Sequence, residues 1–144
     1  MTLLLSTADL DTFEILPGLE VITRTAWGAD GPYKTRTRVG PPTAYSYLEI
    51  HHGASNNANA DNDPAAVMRY YQRLHRDNGW SDIFYCLGLD PYGVLWDGRS
   101  FYRSHKSPQW GEAFTIVLLG NYDLREPTAS QLATIQRFWK AMSQ

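Results

Sequence analysis

The sequence predicts a layered α/β (α+β) domain, a central mixed β-sheet flanked by helices. Three observations carry this. Residues 45–52 alternate in the manner of a strand, with Tyr47, Glu49 and His51 on one face and Leu48, Ile50 and His52 on the other. Residues 114–119 form an unbroken apolar run, as a buried central strand requires. Two further segments repeat apolar residues at helical spacing and carry helix-start signals. Strands and helices interleaved on one small sheet make a layered domain.

In chain order, residues 1–22 read as a lead-in arm. Phe13, Ile15, Leu16, Leu19, Val21 and Ile22 could pack there as a short strand, and Pro17-Gly18 breaks the run. Residues 28–43 and the small, polar residues 53–63 read as loops. Asp63 followed by Pro64 is a cap and then a first-turn proline. Val67, Tyr70, Tyr71 and Leu74 then define a helix face, which Asn78-Gly79 ends. Residues 83–89 and 94–96 flank a turn at Asp90-Pro91-Tyr92-Gly93, a hairpin signal. Thr128 with Gln131 fits a capping box. The helix that follows would bury Leu132, Ile135, Phe138 or Trp139, and Met142.

At 144 residues the chain suits one core. A net charge of −2 provides no basic field for nucleic acid. A single cysteine, Cys86, excludes an internal disulfide framework. No stretch approaches the roughly 20 apolar residues of a membrane span, so no membrane partner is expected. The first residues lack a basic region and meet Asp9 and Asp11 early, so no signal peptide is expected.

Seven segments then carry a resemblance. They are Arg24-Thr25-Ala26-Trp27-Gly28-Ala29, Ile50-His51-His52-Gly53-Ala54, Gln72-Arg73-Leu74-His75, Gly79-Trp80-Ser81-Asp82-Ile83-Phe84-Tyr85, Gly93-Val94-Leu95-Trp96-Asp97-Gly98-Arg99, Ser104-His105, and the stretch from Ile116 to Tyr122. In this order they resemble the motifs of peptidoglycan recognition proteins and type 2 N-acetylmuramoyl-L-alanine amidases, a layout shared with phage lysozymes of the amidase type. On that resemblance residues 23–144 form the amidase-like domain, without the C-terminal segment that carries the remaining zinc ligands.

The resemblance implies a zinc hydrolase that cuts the amide between muramic acid and L-alanine. It makes His51 the first zinc ligand and Tyr85 the catalytic tyrosine, which would orient water or stabilise the oxyanion. His52, Trp80, Arg99 and His105 become candidate contacts to the stem peptide and muramic acid. The residues themselves also allow blander roles. His52 and Trp80 could be packing residues, Arg99 could make an internal salt bridge, and His75 could bond across the helix–sheet interface. Three functions are therefore carried forward: a lytic amidase, a peptidoglycan-binding module without activity, and a virion component that uses the same fold. The first and third expect phage partners, with the protein in the host cytoplasm before lysis or on a virion.

Overall fold

The computed structural model describes residues 10–33, 45, 47–102 and 113–143. Among them run β1 (Thr12–Leu16), β2 (Leu19–Ile22), α1 (Arg24–Trp27), β3 (Tyr47–His52), α2 (Asn57–Asn62), α3 (Pro64–Asp77), β4 (Leu87–Leu89), β5 (Leu95–Asp97), β6 (Ala113–Leu118) and α4 (Ala129–Met142). The strands form one six-stranded sheet in the order β1-β2-β5-β4-β6-β3. Pairs β1/β2 and β4/β5 are antiparallel, whereas β2/β5, β4/β6 and β3/β6 are parallel. The predicted mixed sheet with flanking helices is the observed architecture.

Alternation along the strands divides the interior in two. Leu87, Leu89, Phe114, Ile116 and Leu118 point toward α4, where Phe138 stacks on Phe114 at 5.0 Å between ring centroids. Trp27, Ala60, Val67, Met68, Tyr71 and Val117 pack on the other face, beneath α1, α2 and α3. Each fully buried side chain of this size stabilises by roughly 1.5–3 kcal/mol. None of the described helices is long and apolar enough to cross a membrane.

The lead-in residues are part of this sheet. Pro17-Gly18 makes the turn of the β1/β2 hairpin, and Val21 and Ile22 pair with Leu95 and Trp96 of β5. The expected polar loop at 53–63 contains α2, whose first turn is held by the Asn56 side chain accepting from the Asn59 N–H. Both helix faces are rotated from the expected ones. On α3 the buried residues are Val67, Met68, Tyr71 and Gln72, while Tyr70 and Leu74 are exposed. On α4 they are Gln131, Thr134, Phe138 and Met142, while Leu132 and Trp139 face outward. The buried polar groups among them are hydrogen-bonded. Gln131 donates to the Leu89 carbonyl and the Tyr122 hydroxyl, and Thr134 donates to the Gly93 carbonyl. A satisfied amide or hydroxyl can occupy a core position at little cost.

Candidate functional site

β3 ends at the two histidines, and its register against β6 sets their surroundings. His51 lies opposite Val117 and His52 opposite Leu118. They therefore leave the sheet on opposite faces. His51 joins the α3 side. Its ring meets Tyr85 at 5.7 Å and Phe84 edge-on at 6.1 Å. The α3 residues Tyr71 and His75 enclose Tyr85 from the other side, at 5.8 and 5.4 Å. Trp80 borders the same cluster, 5.2 Å from His75 and 4.9 Å from Phe84.

The close fit between β3 and α3 depends on Gly53. A Cβ there would collide with the Tyr71 phenol. With that path clear, Tyr71 donates a 2.9 Å hydrogen bond to Ser55 Oγ, which itself accepts the Gly120 N–H at 2.9 Å. The loop after β3 is thereby tied both to α3 and to the end of β6.

Burial sets the protonation states. It pushes the Tyr71 hydroxyl up to about 12, an effect partly offset by the Ser55 hydrogen bond, and raises that of Tyr85. Tyr85 is thus a neutral phenol near neutral pH, able to donate a hydrogen bond and unsuited to act as a phenolate base. Burial lowers His75 to about 4, against a smaller opposing pull from Asp82. Neutral His75 accepts the Phe84 N–H at Nδ1 over 2.9 Å, bonding across the interface between α3 and the segment leading to β4.

Several sequence-predicted residues lie elsewhere. His52 faces the α4 side, where its Nδ1 accepts the Tyr122 N–H at 3.1 Å, so it braces the turn after β6. Arg99 is 2% exposed, and its donors are engaged by the Phe84 carbonyl, the Tyr102 carbonyl and Cys86 Sγ. This guanidinium holds the chain around β4 and β5 together and packs 5.6 Å from the Phe84 ring, so it supports the cluster from behind with its donors already engaged. His105 lies outside the described residues. The motif residues Arg24 and Asp82 meet in a buried ion pair at 2.9 Å, and Trp27 donates to the Asp97 carbonyl at 2.6 Å. Much of the motif series therefore serves the fold.

Two groups that sequence reasoning did not single out matter here. Phe84 forms one wall of the cluster, and Glu49 shares the face of β3 that carries His51. The strand alternation was the available signal for Glu49. A cavity of about 480 Å³ lies between the segment after β3 and α3, lined in part by Ser55, Asn56, Asn59, Tyr70 and Arg73 and by none of the cluster or sequence-predicted site residues. Two hollows of about 530 and 540 Å³ lie at the β1–β2–β5 edge and beside Tyr33 and Asp97, and hold none of the predicted site residues.

The donors around His51 give a mixed answer on a metal. His51 Nε2 is buried with no hydrogen-bond partner, as a ligand nitrogen would be. Yet among the described residues no group of three or more His, Cys, Asp or Glu side chains could hold a metal ion. Cys86 is engaged by Arg99 and Thr115, and His75 Nδ1 by Phe84.

No family model and no curated protein matches the chain. Solved structures do. Drosophila peptidoglycan recognition protein LB superposes with a TM-score of 0.71 at 25% identity, covering 85% of this chain and 72% of that one. Manduca sexta peptidoglycan recognition protein 1 gives 0.72 at 21% identity, covering 83% and 69%. The ectodomain complex of peptidoglycan recognition proteins LCa and LCx, solved with bound tracheal cytotoxin, gives 0.70 at 22%, covering 85% and 74%. The latter two speak to the fold alone. The mixed six-stranded sheet with flanking helices is the α/β fold of these peptidoglycan recognition proteins. Over about 85% of its length the chain is similar to peptidoglycan recognition proteins.

Proposed function

We propose that this chain binds the muramic acid and stem-peptide portion of peptidoglycan over the cluster of His51, Tyr71, His75, Trp80 and Tyr85. The observation that carries this reading is the half-open aromatic cluster at the end of β3. Aromatic faces bury sugar and peptide surface, and their polar tips add direction. The neutral Tyr85 hydroxyl suits a peptide or acetamido carbonyl. In the cavity between the segment after β3 and α3, the Asn56 and Asn59 amides, the Tyr70 ring and the Arg73 guanidinium offer contacts for a sugar that bears a carboxylate. The tracheal cytotoxin complex of the LCa and LCx proteins lends support by analogy. Sedimentation with insoluble peptidoglycan tests the reading. The protein should pellet with the cell wall and be released by soluble muropeptide; a protein that stays in the supernatant overturns it.

A second reading is favoured by the unpartnered His51 Nε2. It is zinc-assisted hydrolysis of the bond between muramic acid and L-alanine, in which His51 would hold the metal. Zinc would supply a more acidic bound water and a polarised carbonyl. Tyr85 would donate to the oxygen on which negative charge develops. Release of stem peptides from purified sacculi after zinc loading is the expected result. Zinc uptake without any release would eliminate the amidase and leave the binding module. A phage-lysin setting is the finest form of this reading. Co-expression with a holin should then lyse the host, and intact cells would contradict it.

A further inference from the structure

α3 carries Arg69, Arg73 and Arg76 at the i, i+4 and i+7 positions of one helix face. They border a hollow of about 350 Å³, bounded opposite by Gly28 and Asp30 of the segment that follows α1. Two of the three are fixed from across the hollow. Arg69 donates through one Nη to the Trp27 carbonyl at 2.8 Å, and Arg76 donates to the Asp30 carboxylate and carbonyl at 2.7 and 2.8 Å. Gly28 permits the first of these: its left-handed φ of 83° ends α1, and a Cβ there would crowd the Arg69 side chain at 3.3 Å. Arg73 stands between the two and joins none of the ion pairs among the described residues, whose cations are Arg24, Arg76 and Arg125. It is exposed, with its guanidinium 5.9 Å from the Tyr70 ring. Like charges three and four residues apart repel one another along a helix. The carboxylates of the hollow offset this only in part. Asp30 already pairs with Arg76, and Asp77 alone is left to face Arg69 and Arg73. The lining therefore carries an excess of one positive charge.

We propose that this hollow binds the anionic group of a phosphate ester, held between Arg69 and Arg73. A guanidinium presents paired N–H donors in a planar fork that matches two phosphate oxygens. Arg69 spends one nitrogen on Trp27 and keeps the rest of its fork, while Arg73 has its whole fork to offer. The negative end of the α3 dipole acts only over the last turn, so the ground that favours an anion lies at Arg69 and Arg73 and not at Arg76. The hollow has roughly ten times the ~30 Å³ that a water takes up in the liquid. A bare phosphate fills only part of it, which leaves room for the esterified group. The site stands apart from the ring cluster. Arg73 is the side chain it shares with the cavity between the segment after β3 and α3. This inference goes beyond peptidoglycan binding and does not rest on it.

Calorimetric titration of the full chain at low ionic strength with glycerol 3-phosphate, dimethyl phosphate and inorganic phosphate tests it. Wild type should bind one ester per chain, more tightly than inorganic phosphate, and added NaCl should weaken the binding. The order of the two esters tells a terminal phosphate from a bridging one, and either order upholds the site. Arg73→Gln should weaken binding about tenfold, the worth of a hydrogen bond to a charged group. Arg73→Lys should recover only part of that, because it keeps the charge and loses the fork. Asp77→Asn removes the opposing carboxylate and should tighten binding about threefold. Circular dichroism checks that each variant is folded. Heat from inorganic phosphate alone would mean an adventitious ion only and would overturn the proposal. So would esters that Arg73→Gln and Asp77→Asn bind as wild type does. Sedimentation of wild type with peptidoglycan reads the wall-binding function separately, and neither result depends on the other.

Discussion

Tyr85 contributes to the site as a neutral hydrogen-bond donor surrounded by rings, because burial holds its proton on. Tyr85→Phe removes that donor and keeps the ring. A neutral hydrogen bond contributes about 1 kcal/mol, so muropeptide affinity should fall roughly fivefold by calorimetry. Thermal stability should barely change. Gly53 is a second residue with a defined task. Gly53→Ala forces a methyl group against the Tyr71 phenol, and overpacking of this kind destabilises by about 1–3 kcal/mol. Urea denaturation should show the loss, and the hydrogen bond from Tyr71 to Ser55 should be lost with it.

At the scale of elements, the core strands were legible because their signals are local. The alternation at 45–52 and the apolar run at 114–119 both fell on strands of the sheet, β3 at Tyr47–His52 and β6 at Ala113–Leu118. The β1/β2 hairpin was legible only as a possibility, since its pairing with β5 is long-range. α2 was hidden by asparagines, which favour caps and turns and form helices poorly. The helix faces were misread for a different reason. Counting apolar residues favours Leu132 and Trp139, yet Gln131 and Thr134 are buried through hydrogen bonds that no periodicity reveals. The site shows the same division. The motif resemblance put His51 and Tyr85 in one site, and their rings meet at 5.7 Å, while the inward turn of Arg99 and the attachment of His52 to Tyr122 depend on tertiary contacts. The capping box of α4 offers a direct check on element stability. Thr128→Ala removes the acceptor for the Gln131 N–H and should cost about 1 kcal/mol in chemical denaturation.

The whole molecule carries two opposing pH dependences. His75 is lowered from 6.5 to about 4 by burial, so its unfolded form binds the proton more readily. Its contribution to stability is complete above pH 6.5 and is lost as pH falls toward 4. Asp97 is raised from 3.8 to about 7, again chiefly by burial, beside the Tyr33 hydroxyl, Arg24 and Asp82. Its contribution is complete below 3.8 and is lost as pH rises through 7. Urea midpoints measured across this range should separate the two. Asp97→Asn should be more stable than wild type above pH 7, and His75→Gln should lose the fall in stability on the acid side. A wild-type profile unchanged by either substitution would contradict both assignments.

His75 lies on the α3 side of the sheet, within the cluster of rings. The central claim is that this cluster is where a muramyl peptide binds. Titrating a ¹⁵N-labelled sample with a soluble muramyl tripeptide and following backbone amide shifts tests it most directly. Saturable shifts should map to His51, the 53–59 loop, Tyr71, His75 and Tyr85. An unchanged spectrum, or shifts confined to the hollow beside Tyr33 and Asp97, would contradict it.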